Sequence, residues 1–202
     1  MSNASDASFL AEEKQLLEAG NGVELIELYL RRIDAGAAGR EKTELLCKIA
    51  RVFDTLLDDP NQAFDALLVA LELEVDNPTT DRELAALAKR TGRWAELIQA
   101  VNGWEAAEKE PTRKIAICFL LARWYGEELE RPEYAVAYFQ QVLALDANKV
   151  PVLRSMARAM AKRGDLRGQG MLLVQALESS NDAAEQAALR TEIETLRQQL
   201  DD

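Results

Sequence analysis

Sliding the 202-residue sequence along itself by 72 positions aligns residues 41–94 with 113–166 without a gap, and this repeat limits the fold more than any other property of the chain. Lys42, Ala50, Arg51, Leu57, Pro60, Ala63, Leu71, Leu73, Arg82, Ala85 and Gly92 recur as Lys114, Ala122, Arg123, Leu129, Pro132, Ala135, Leu143, Leu145, Arg154, Ala157 and Gly164. Conservative pairs fall between them, such as Phe53 with Tyr125 and Leu84 with Met156. The register also runs backward, placing Gly20, Glu24, Leu25 and Ile26 under Gly92, Glu96, Leu97 and Ile98. Units that repeat in this way stack on one another, because one unit alone cannot bury its apolar face.

Each 72-residue unit divides again. Small residues in apolar settings at Ala50, Ala85, Ala122 and Ala157 are spaced by 35, 37 and 35 residues, one helical hairpin per interval. Two turn chemistries alternate between the helices. Gly20, Gly92 and Gly164 end a helix where a left-handed residue is needed, whereas Asp59-Pro60 and Arg131-Pro132 start one. Between these marks apolar residues recur at three and four, as in Leu45, Leu46, Ile49, Val52, Phe53, Leu56 and Leu57, and no alternating β pattern is present. The pattern predicts helices over 6–19, 22–35, 40–57, 60–74, 79–91, 93–109, 112–129, 132–145, 150–163, 165–179 and 182–199, which is five hairpins and one leftover helix.

Composition narrows the function. The chain is 48% hydrophobic, too apolar for a disordered protein, and no stretch approaches the roughly 18–20 uninterrupted apolar residues of a membrane helix. It has no histidine, which removes the commonest general base, the usual zinc ligand and every Ser-His or Cys-His nucleophile pair. No Gly-rich phosphate loop or calcium loop is present, so no catalytic residue, metal or cofactor is expected. Cys47 and Cys118 sit in apolar helical patterns and suit reduced, buried thiols in a cytoplasmic protein. A net charge of -11 argues against nucleic acid and anionic membranes as partners. Ser2-Asn3-Ala4 is similar to the scar of a tag-removal site, and residues 1–5 are expected to be disordered or tag-derived.

The hairpins resemble the tetratricopeptide repeat (TPR). The likeness rests on a large-then-small pair in the first helix of each hairpin (Ile49-Ala50, Leu84-Ala85, Leu121-Ala122, Met156-Ala157) and an aromatic three residues on, Phe53 or Tyr125. In the second helix it rests on Ala63 or Ala135, Leu67 or Phe139, and a smaller residue at Ala70, Val142 or Ala176. It covers residues 40–180 well and 6–39 weakly, because Glu13 stands where an alanine is expected. Two hairpins carry an extra residue before Pro60 and Pro132, and Val75 and Ala147 replace the usual closing proline. Such irregular hairpins are similar to tandem units of large bacterial TPR proteins. The resemblance implies an all-α, right-handed superhelix of five TPR-like hairpins over 6–181, closed by a capping helix over 182–202.

A TPR-like array implies a scaffold or adaptor that binds a protein segment in its concave groove, and the alternative is a regulatory or docking domain of a larger enzyme. On the resemblance the groove positions are Lys14, Cys47, Arg51, Asp54, Arg82, Ala86, Lys89, Phe119, Arg123, Gly126, Arg154 and Arg158. Arg51, Arg82, Lys89, Arg123, Arg154 and Arg158 would then form a basic ladder for an acidic peptide, since the guanidinium fork holds carboxylates bidentately. The alternative reading has these cations paired with Asp54, Asp81, Glu83 and Glu127 on the same array. The carboxylate clamp of chaperone-binding relatives is not matched, because Cys47 and Arg51 occupy the places of its Lys and Asn. Trp94, Trp104 and Trp124 lie on apolar stripes and are expected to pack. Leu189, Ile193, Leu196 and Leu200 give the last helix an apolar seam, which either caps the fifth hairpin together with Ala184, Ala187 and Ala188 or forms a homodimer contact.

Overall fold

The structure, a computed structural model, describes residues 2–145 and 150–201. Ala147, one of the two replaced closing prolines, lies outside the described residues. The fold is all-α among the described residues, built from sequential helical hairpins. Its helices are α1 (Ser2–Ala19), α2 (Gly22–Asp34), α3 (Gly39–Thr55), α4 (Pro60–Leu73), α5 (Pro78–Thr91), α6 (Trp94–Ala107), α7 (Pro111–Arg123), α8 (Pro132–Leu145), α9 (Val150–Lys162), α10 (Leu166–Ser179) and α11 (Ala183–Asp201). The chain forms two compact units that divide between Ala100 and Val101, within α6.

The 72-residue period is visible in the backbone. Gly20, Gly92 and Gly164 adopt φ of 67°, 72° and 74°, the left-handed conformation that glycine enters without steric cost. After each, the same wrapped hydrogen bond closes the helix: Asn21 to the Leu16 carbonyl, Arg93 to Ala88 and Asp165 to Met160, all at 3.0 Å. Asp58 and Glu130, also 72 apart, share a second left-handed position with φ of 51° and 54°.

The extra residue before Pro60 and Pro132 is absorbed in a wide turn. The Leu57 amide donates to the Val52 carbonyl at 3.2 Å and Leu129 to Trp124 at 2.9 Å, five residues back in both cases. In the second copy this turn is a π-helix, Trp124–Glu128, where the sequence predicted continuous α-helix to 129. Helix starts follow from capping. The Asp59 carboxylate accepts from the Gln62 amide at 3.0 Å and the Asp165 carboxylate from Gly168 at 2.8 Å. Asn77 and Glu110, each followed by proline, cap α5 and α7 in the same way.

In the first unit α1 packs on α2, α2 on α3, α3 on α4 and α4 on α5. Leu25, Tyr29, Leu45, Ile49 and Val52 form one cluster, and Phe64, Leu67, Leu71 and Leu84 are almost wholly enclosed. Each such side chain contributes about 1.5–3 kcal/mol by leaving water. In the second unit α7 and α8 enclose Cys118, Ala122, Ala135, Phe139 and Val142 with Val152 of α9. A further cluster joins Val150, Leu153, Leu173 and Ala176 of α9 and α10 to Leu189, Ile193 and Leu196 of α11.

The expected small seam holds at Ala50, Ala63, Ala122, Ala135 and Ala157, all buried. In α5 it is displaced by one turn. Ala85 is half-buried, and Leu87-Ala88 takes the enclosed place. Leu57, one of the apolar residues at helical spacing, is exposed, and so are Ala184, Ala187 and Ala188 of α11. Trp124 is fully buried, whereas Trp94 and Trp104 are half-buried.

Candidate functional site

Arg51 projects from α3 and stays exposed while its guanidinium bonds Glu83 Oε1 on α5 at 2.8 Å. Asp54, one turn further along α3, pairs with Arg90 of α5. These two ion pairs run in opposite senses and bind the first helices of neighbouring hairpins side by side. Arg82 and Lys89 are exposed on α5, and neither makes an ion pair among the described residues.

Three depressions in the first unit share Arg51 as a wall. A cleft of about 590 Å³ between α3 and the start of α5 is lined by Arg40, Lys48 and Arg51 on one side and by Glu74, Asp76 and Thr80 on the other. A trough of about 370 Å³ is mostly apolar, floored by Val52 and edged by Leu17, Leu56 and Lys48. A smaller hollow of about 170 Å³ lies over Ala50, Leu67, Ala86 and Leu87. These recesses carry carboxylates as well as cations, since Glu13, Glu44, Asp54, Glu74, Asp76 and Glu83 line them beside Arg40, Lys48, Arg51 and Arg90, around apolar patches of the kind an amphipathic segment fills.

Cys47, read as a groove position, is buried. Its Sγ lies 3.3 Å from Thr80 Oγ1, and burial pushes the thiol up from its ordinary range, so it stays protonated at neutral pH. Gly126 is likewise buried, and a Cβ there would come within 3.3 Å of Ala159 and 3.4 Å of Ala135. Phe119 is half-buried and meets the Phe139 ring edge-on at 6.2 Å. These three positions serve packing.

The second unit holds Arg123, Arg154 and Arg158. Arg123 is half-buried on α7. Arg154 of α9 pairs with Glu192 of α11, and Arg158 Nη1 lies 3.8 Å from Glu127 Oε1. Glu127 also accepts from Ser155 Oγ at 2.9 Å, and its carbonyl accepts from Lys162. Arg51, Arg154 and Arg158 are thus all engaged internally. The six predicted cations form two sets of three, one in each unit.

Lys48, Arg90 and the apolar trough were absent from the reading of the sequence. The signal for Lys48 was its place one turn before Arg51 on the same helix. Leu17 and Leu56 carried none, because a solvent-facing leucine at helical spacing looks the same as a core one. Among the described residues no three Asp, Glu or Cys side chains converge as a metal site requires, and no helix is long and apolar enough to cross a membrane.

No protein-family model matches the sequence, and no curated protein matches it. Among solved structures, the crystal structure of MamA is similar at 16% identity, covering 83% of this chain and 93% of that one, with a TM-score of 0.44. A likeness at that level carries no argument about the site, which rests on the geometry described above.

Proposed function

We propose that the chain is a protein-binding scaffold, and that the first-helix face of its first unit takes an acidic, amphipathic segment of a partner protein. The observation that carries this reading is the position of Arg51 as the shared wall of a polar cleft, an apolar trough and a smaller hollow. Apolar side chains of the segment would fill the Leu17–Leu56 trough, and its carboxylates would meet Arg51, Arg82 and Lys89. Arg123, Arg154 and Arg158 offer a second set of cations in the other unit.

The internal ion pairs rank these contributions. Arg51, Arg154 and Arg158 exchange one carboxylate for another on binding, and an exposed pair contributes at most about 1 kcal/mol, so the net gain at each is small. Arg82 and Lys89 have no internal ion pair to give up. They should therefore dominate affinity and steering in the first unit.

The test is fluorescence anisotropy with a labelled peptide rich in Glu and Leu, and with its Lys-for-Glu counterpart as control. The acidic peptide should bind, and more weakly as salt rises from about 50 to about 300 mM. Arg82→Glu combined with Lys89→Glu should weaken it about tenfold or more with helicity unchanged, as expected for two lost charge contacts. Equal binding of both peptides, or indifference to the double reversal, would refute the reading.

A further inference from the structure

Charge fastens α1 to the rest of the first unit. Asp6 pairs with Arg32 at 2.9 Å, Glu12 with Arg31 at 2.7 Å and Glu13 with Lys48 at 2.7 Å. Glu13 also accepts from the Tyr29 hydroxyl at 2.8 Å. The apolar share is small, because among the described side chains of α1 only Phe9 and Leu16 pack on the neighbouring cluster, both half-buried, while Leu10 and Leu17 are 58% and 52% exposed. Among the described side chains of α1 the most deeply buried is an acid, Glu13, at the place where the repeat carries alanine.

That arrangement makes α1 a weak occupant of its own seat. Removing Glu13 from water opposes its attraction to Lys48, whose side chain stays 37% exposed, and exposed pairs such as Glu12 with Arg31 add little. Contrast the seam of α3 and α4, where Ala50, Ala63 and Leu67 are at most 2% exposed and no charge is enclosed. Beneath α1 lies an apolar floor of Leu25, Tyr29, Ile49 and Val52. Arg31, Arg32 and Lys48 supply its cations.

We propose that the α2–α3 face under α1 is an exchangeable helix seat, which accepts an acidic amphipathic helix of a partner protein in place of α1. Charge complementarity selects the occupant. Three cations over an apolar floor fit a helix with carboxylates at the spacing of Asp6, Glu12 and Glu13 and apolar side chains at the spacing of Phe9 and Leu16. A partner that presents a continuous apolar stripe between its acids would outcompete α1, which spends a core position on a carboxylate. The seat shares Lys48 and the Leu17 edge with the apolar trough, but Arg31 and Arg32 belong to it alone and it does not rest on Arg82 and Lys89.

The probe is a fluorescein-labelled peptide with the sequence of residues 2–20, added to the full chain. Glu13→Lys turns the chain's own α1 against Lys48 and should raise affinity for the probe about tenfold or more by freeing the seat. Adding Lys48→Glu should abolish that binding. Hydrogen exchange on the unmodified chain provides a second readout: α1 amides should exchange about tenfold faster when salt rises from about 50 to about 500 mM, while those of α3 and α4 stay protected. Failure of the Glu13→Lys chain to take up the probe would overturn the proposal, as would α1 exchanging in step with α3 and α4 at every salt concentration. A dimer forming with protein concentration and dispersed by Glu13→Lys would also overturn it, by assigning the seat to α1 of a second copy.

Discussion

Arg93 is held by four partners. Its guanidinium lies 3.9 Å from the centroid of the Phe64 ring, bonds Asp65 at 2.7 Å and Glu96 at 2.6 Å, and reaches the Asn61 carbonyl at 3.2 Å. Only a planar fork can stack and bond two carboxylates at once. Arg93→Ala should therefore lower stability by about 1–2 kcal/mol in urea melts, and Arg93→Lys should recover less than half of the loss. The thiols give a second prediction at this scale. Burial, helped by nearby Glu105 and opposed by Lys114, pushes Cys118 from 9.0 up to about 11, and burial also raises Cys47. An unfolded chain loses these protons first as pH rises, so stability present below about pH 9 should be lost progressively toward pH 11, read as a falling urea midpoint. At about pH 8 a thiol reagent should find neither cysteine until denaturant is added. Residues of this kind were only partly legible. Helical spacing rightly marked Cys47 as a buried thiol but gave exposed Leu57 the same periodicity as its enclosed neighbours, because spacing shows that a face is apolar without showing which neighbour covers it.

Whole elements were far more legible than single side chains, since the turn residues that bound them act locally. Apart from α7, which ends at Arg123 rather than 129, the described helices fall within a few residues of their predicted spans, and the Gly and Pro marks that placed them correspond to left-handed turns and helix starts. The π turn at Trp124–Glu128 escaped because nothing in its composition separates it from α-helix. Its cause, the extra residue before Pro132, was visible only as a departure from the repeat. The same turn strains a side chain. Asp58 and Glu130 hold φ of 51° and 54°, where a Cβ crowds the following carbonyl. Asp58→Gly and Glu130→Gly should each raise stability by about 0.5–1 kcal/mol, with the larger gain at Glu130 because Asp tolerates this region better. The control is Gly92→Ala. A Cβ at Gly92 meets nothing within 4 Å, so the expected loss of about 1 kcal/mol would come from the backbone alone.

At the scale of the molecule, the -11 net charge hides how local the electrostatics are. Ion pairs join first helices within a unit (Arg51 with Glu83, Asp54 with Arg90), and the apolar clusters are equally local. In stacked hairpins of this kind stability is a sum of nearest-neighbour terms, so damage should stay where it is made. Leu189 tests this. It is fully buried where α11 meets α9 and α10, and its cluster shares no residue with the one around Ile49. Leu189→Ala should destabilise by about 2–5 kcal/mol through lost burial and the cavity left behind. Hydrogen exchange should then rise across α9, α10 and α11 while amides of α3 and α4 keep their protection. Loss of protection spread evenly over all helices would instead mean that the chain folds as one cooperative block, and the local, additive account of its stability would fail.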